Sequence, residues 1–203
     1  LAQGKEMKEP WYYLQVVDYN MLEDYDNVIR VLATLIHKYP KKQYWMHLAG
    51  MYSEKEWDDK ALSAYFASYH QGFLIRETEI VMLSQRLLGA DNPYEASMVL
   101  ERGLKDGTVT RNEKNLKLLA TSYTMAQEMP KAIKAWSDAA GFAKDGDIHY
   151  RLAQALAQED RHSEAVRAYR KALEKKGLTK ESDVQFWLAI ALMNLERWDE
   201  ATR

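Results

Sequence analysis

Short polar, turn-like strings recur along the chain, each followed by a small apolar residue: DYDNVI, EWDDKAL, NPYEAS, EMPKAI, HSEAV and RWDEA. The small apolar residues are Val28, Ala61, Ala96, Ala132, Ala165 and Ala201, separated by 33, 35, 36, 33 and 36 positions. Around them apolar residues fall three and four apart, the spacing that gathers side chains on one face of a helix. The pattern therefore predicts paired helices repeating along the chain. The units begin near residues 9, 42, 77, 113, 146 and 182.

A period of about 34 residues is that of the tetratricopeptide repeat, a helix–turn–helix unit. That repeat asks for bulky residues at positions 4, 7, 11 and 24, and for small ones at 8, 20 and 27. The fourth unit supplies Leu116, Leu119, Ala120, Tyr123, Ala132, Trp136 and Ala139, and the second supplies Trp45, Leu48, Ala49, Tyr52, Ala61, Tyr65 and Ser68. The third is looser, with Ile80, Leu83, Ser84, Leu87, Ala96, Leu100 and Gly103, and the fifth places His149 at position 4. The first is degenerate in its opening helix but keeps Tyr19, Val28, Leu32, Leu35 and Pro40. Small residues at 8 and 20 let paired helices approach, while the large ones fill the remaining space. The expected fold is all-α: a right-handed tetratricopeptide superhelix of five complete helix pairs and a truncated sixth. It forms a single domain over residues 1–203, read as a fragment of a longer protein because the sixth unit breaks off at Arg203.

Connector chemistry supports the same register. Gly72, Gly107, Gly146 and Gly177 follow apolar stretches, where a left-handed helix cap is wanted. Asp24, Asn92 and Asp183 stand where N-caps are expected, and Pro130 opens a second helix at little cost.

Composition narrows the functional classes. Lys plus Arg total 28 against 30 for Asp plus Glu, which argues against a nucleic-acid partner. There is no cysteine, so disulfides and thiolate chemistry are excluded. No apolar run is long enough to span a bilayer, and the opening LAQGKEMKEPW has no apolar signal segment. The histidines at 37, 47, 70, 149 and 162 form no i, i+4 pair. Asp145, Asp147 and His149 resemble a metal cluster but read as a turn, a cap and a packing position. Glu56, Asp58 and Asp59 read as acids opening a helix rather than as catalytic carboxylates. The expectation is a protein that is no enzyme and has no cofactor and no metal.

Stacked helix pairs bind partners on the concave surface lined by the first helix of each pair. Exposed concave positions are mainly 2, 5, 9, 12 and 13. Positions 5 and 9 give the candidate partner-binding residues: Tyr13 and Val17, Met46, Val81 and Gln85, Lys117 and Thr121, Tyr150 and Gln154, and Phe186 and Ile190. The set is aromatic, aliphatic and amide-rich, so the expected groove carries few charges and takes a segment with apolar side chains. The Lys and Asn clamp that grips chaperone C-termini is absent, because Thr121 stands at its position. Self-association through the truncated last helix is a further expectation.

The strings VLATLIHKYPKKQYWMHLAGMYSE, YHQGFLIRETEI, ASMVLERGLKDG, NLKLLATSYTMAQEMPKAI and DGDIHYRLAQALAQED extend the likeness across nearly the whole chain. They resemble the tetratricopeptide proteins encoded beside TonB, ExbB and ExbD in Gram-negative gammaproteobacteria. YPKKQYW followed by LAGMY, then QGFL with its acidic follower, is the most specific part. That resemblance implies a periplasmic accessory of the machinery that powers iron uptake, with TonB, ExbB or ExbD components as partners. Other classes remain alongside it: an envelope-assembly or pilus-biogenesis adaptor, a substrate-presenting module of a larger enzyme, and a cytoplasmic location.

Overall fold

The computed structural model describes residues 7–175 and 177–202. The polar opening segment up to Glu6 and the chain end at Arg203 lie outside the described residues. Among those described, every regular element is a helix. These are α1 (Glu9–Met21), α2 (Tyr25–Lys38), α3 (Lys42–Glu54), α4 (Asp58–His70), α5 (Glu77–Gly89) and α6 (Pro93–Asp106), followed by α7 (Glu113–Met125), α8 (Met129–Ala140), α9 (Asp147–Gln158), α10 (His162–Glu174), α11 (Glu181–Met193) and the short α12 (Trp198–Ala201). No described helix is long and apolar enough to cross a membrane. The sequence reading takes one domain; contacts group the chain into two compact units, Leu1–Glu79 and Ile80–Arg203.

One turn recurs between the helices of a pair. Glu23, Glu56, Asp91, Gln127, Asp160 and Glu196 all have φ between 54° and 59°. Each precedes its seam residue, from Val28 to Ala201, by the same interval, so the turns keep the spacing read from the sequence. The residue after each returns its N–H to the helix it has just left: Trp57 to Tyr52 O at 2.8 Å, Asn92 to Leu87 O at 2.9 Å, Glu128 to Tyr123 O at 2.9 Å and Arg161 to Leu156 O at 3.0 Å. This is the Schellman closure, which satisfies carbonyls at the helix end. A side chain in the left-handed region costs about 1–2 kcal/mol relative to right-handed backbone, and here acidic or amide residues bear it at every described turn of this kind. Glycine does the same work after a second helix at Gly72, where Phe73 returns its N–H to Ser68 O at 3.1 Å. Gly107 and Gly177 also have positive φ, but Gly177 follows an extended cap at Lys175 rather than closing α10 itself. Gly146 differs from the expectation. Its φ is −81° and it stands at the N-cap of α9, where a Cβ would lie 2.3 Å from Ala172 O, so the position needs glycine for space rather than for a left-handed turn.

Three further expectations shift. Asp24 caps α2 by accepting the Asn27 N–H at 3.2 Å, as read. Asn92 stands at its cap position but turns its amide to Ala90 O, and Asp183 lies inside the first turn of α11 because that helix starts at Glu181. In the second repeat Tyr44 is the buried aromatic and Trp45 only partly so.

In the first unit α1 packs on α2, α2 on α3 and α3 on α4. Val16, Val28, Leu32, Leu35, Tyr44, Leu48 and Met51 form the core. The second unit buries Ile80, Leu83, Leu87 and Leu100 at its start, then Leu116, Ala120, Tyr123, Ala132, Trp136 and Ala139 between α7 and α8. Ala153, Leu156, Ala165, Tyr169 and Ala172 continue the pattern into α9 and α10. The seam residues Ala96, Ala132 and Ala165 have no exposed surface, as close helix approach requires.

Candidate functional site

In the first unit, Tyr13 and Val17 on α1 are partly open and Met46 on α3 is half-buried. The Tyr13 ring lies 6.1 Å from that of Tyr44. Glu9 ties this face together, accepting from Lys41 Nζ at 2.6 Å and from the Tyr44 hydroxyl at 2.5 Å. Those bonds, Lys41 first, hold its carboxyl below the usual range.

The second unit has a groove of about 760 Å³. One wall is α7, whose Lys117, Thr121, Thr124 and Met125 follow at helical spacing. The opposite wall is α9, with Asp147, Tyr150, Arg151, Gln154 and Gln158. Trp136 from α8 and Ile148 and Ala155 from α9 also line it, and Thr179, Lys180 and Asp183 line it where the chain enters α11. Trp136 is held by its indole N–H, which donates to Thr124 Oγ1 at 3.0 Å. Asp147 accepts from the Thr179 hydroxyl at 2.5 Å and from the Thr179 N–H at 3.0 Å. These bonds first, then Lys117 and Arg151 nearby, hold the Asp147 carboxyl below its ordinary value. Burial and then Asp183 push the Tyr150 phenol up, so at neutral pH it is a hydrogen-bond donor.

A smaller pocket of about 250 Å³ opens beside the groove and shares Gln154 and Gln158 with it. Ala157, Tyr169, Trp187, Ile190 and Ala191 make it apolar, and His162 and Asn194 stand at its edge. His162 Nδ1 is buried without a hydrogen-bond partner among the described residues.

No family model matches the chain, and no curated protein does. Solved structures do. MamA is 19% identical with a TM-score of 0.62, over 76% of this chain and 88% of MamA. YrrB, described as a TPR protein with an unusual peptide-binding site, is 16% identical with a TM-score of 0.60, over 84% of this chain and 86% of YrrB. The twelve helices of the described residues, set in the repeat register, and these likenesses decide the fold. The chain has the tetratricopeptide-repeat fold.

In repeat terms, the structure brings Lys117, Thr121, Tyr150 and Gln154 into one groove, and places Gln154 and Ile190 in the neighbouring pocket. Phe186 lines neither cavity; it is 59% exposed, with its ring edge-on to Trp187 at 5.4 Å. Val81 is half-buried and Gln85 exposed on α5, outside both cavities. The expectation of few charges is corrected, because Lys117, Asp147, Arg151, Lys180 and Asp183 all line the groove. Reading positions 5 and 9 alone missed Asp147 and Asp183 at position 2, Thr124 at 12, and Met125 and Gln158 at 13. Those positions carried the signal. Thr179 and Lys180 precede their repeat, and no repeat position marks them.

The remaining sequence candidates have local roles. Asp145 accepts the Asp147 N–H at 3.1 Å, and no group of metal-binding side chains forms among the described residues. His47 and His149 are partly buried, which lowers the tendency of each to protonate. Trp57 lies under two ammonium groups, Lys60 at 3.9 Å and Lys55 at 4.5 Å from a ring centroid.

Proposed function

We propose that this chain is a non-catalytic protein–protein interaction scaffold that holds a segment of a partner protein in the groove between α7 and α9. The observation that carries the reading is the groove itself. About 760 Å³ of open space is lined by Trp136 and Tyr150, by amides and by charged side chains drawn from α7, α8, α9 and the start of α11. Such a surface suits an extended or helical peptide, whose backbone needs polar partners and whose side chains need apolar contact. YrrB, which shares the fold, is described as having a peptide-binding site.

Within this reading the chain acts in the periplasm as an accessory of TonB-dependent energy transduction for iron uptake. The support is the resemblance of YPKKQYW, LAGMY and QGFL to the proteins encoded beside TonB, ExbB and ExbD. Calorimetric titration of the periplasmic segments of TonB and ExbD into the purified chain tests the partner. Saturable binding of either supports the assignment, and heats equal to dilution for both remove it. Fractionation of cells expressing the full-length protein tests the compartment, a cytosolic pool being the result that overturns it.

A further inference from the structure

The groove and the apolar pocket share Gln154 and Gln158, so one bound segment reaches both. The charges in the groove are unequally matched. Asp147 already accepts twice from Thr179, and Asp183 lies 3.8 Å from Lys180. Lys117 and Arg151 make no ion pair with a carboxylate among the described residues. Arg151 uses one nitrogen on Gln154 Oε1 at 3.2 Å, and both side chains are exposed. A guanidinium has five N–H donors and an ammonium three, so most of the donors at this place are open to a ligand. They favour an anionic acceptor.

We infer that the partner segment pairs an acidic side chain, held by Lys117 and Arg151, with a bulky apolar side chain seated in the pocket against Tyr169, Trp187 and Ile190. This rests on reading the groove as a peptide site. The spacing follows from α9. Arg151 and Ala157 are six residues apart, which at about 1.5 Å per residue is roughly 9 Å along the helix. An extended peptide covers that distance in about three residues at roughly 3.3 Å each. The acid and the anchor therefore stand about three positions apart.

The test is selection of a phage-displayed random 12-residue peptide library on the full chain, read by deep sequencing. Expected is enrichment of Asp or Glu two to four positions from Phe, Trp, Leu, Ile or Met. Lys117→Glu with Arg151→Glu turns the charged preference basic and leaves the apolar one. Ile190→Gln or Ala157→Trp removes the apolar preference and leaves the acidic one. A fluorescein-labelled peptide from the wild-type selection should bind either class of variant at least about tenfold more weakly by anisotropy. Circular dichroism melts confirm folding, and Lys117→Gln with Arg151→Gln serves if the reversal unfolds the chain. Enriched peptides lacking the acid–apolar pair, or unaffected by these variants, overturn the inference while peptide binding stands. No enrichment over bare support removes the peptide-site reading and the inference with it.

Discussion

Gly103, on α6, offers a direct test of how tightly the repeats pack. A Cβ added there would lie 2.6 Å from Val109 Cγ2 and 3.1 Å from Ile80 Cγ2, against an ordinary carbon contact of about 3.5–4.0 Å. Neither neighbour can withdraw freely. Val109 is 1% exposed and its N–H is bonded to Gly103 O at 2.8 Å, so the backbone itself holds the side chain over the glycine. Replacing glycine by alanine inside a helix stabilises by about 1 kcal/mol through chain entropy. Overpacking a closed core costs about 1–3 kcal/mol. Gly103→Ala should therefore lower stability by up to about 2 kcal/mol. Gly50 is the control: it lies inside α3, and a Cβ there meets nothing within 4 Å. Gly50→Ala should raise stability by about 0.5–1 kcal/mol. Urea denaturation measures both, and Tm should move by about 2–4 °C per kcal/mol in a chain of this size. Equal upward shifts for the two variants would show that the α5–α6 seam yields to a methyl group. The close-packing argument would then fail.

Ala132 is fully buried, so Ala132→Leu should cost about 1–3 kcal/mol, while Ala33→Leu on the exposed face of α2 should stay within about 0.5 kcal/mol. Equal melting temperatures for the two would show that the register is wrong. Burial lowers the pKa of His149 and of His47, so the unfolded chain binds more protons just below about pH 6.5. Stability should accordingly rise with pH from 5 to 7, and His149→Gln should flatten that rise in urea melts taken across the range. Tyr150→Ala should weaken binding of the partner segment by about 1–2 kcal/mol without unfolding the chain. With Lys117 and Arg151 in the groove, raising salt should weaken wild-type binding too; affinity independent of salt would remove the ionic part of the argument.

The period and the seam residues were legible without coordinates, because each repeat solves the same local problem; the helix starts were legible to within a residue or two, Asp183 falling inside α11 rather than before it. Ala96, Ala132 and Ala165 recur where two helices must touch, and their spacing announces the fold before any contact is known. Four of the candidate groove residues, Lys117, Thr121, Tyr150 and Gln154, were legible for the same reason: helical periodicity puts them on one face. The charged character of that groove was not. Thr179 reaches Asp147 across 32 residues of sequence, and His162, Tyr169 and Trp187 come from three different parts of two helices to close one pocket. The acidic and amide residues with positive φ at the turns were equally hidden, since glycine is the usual signal for that conformation. Periodicity along one helix is a local property and can be read from the chain. Which side chains of neighbouring helices meet, and which charges they leave unmatched, depends on how those helices pack, and only the tertiary structure decides it.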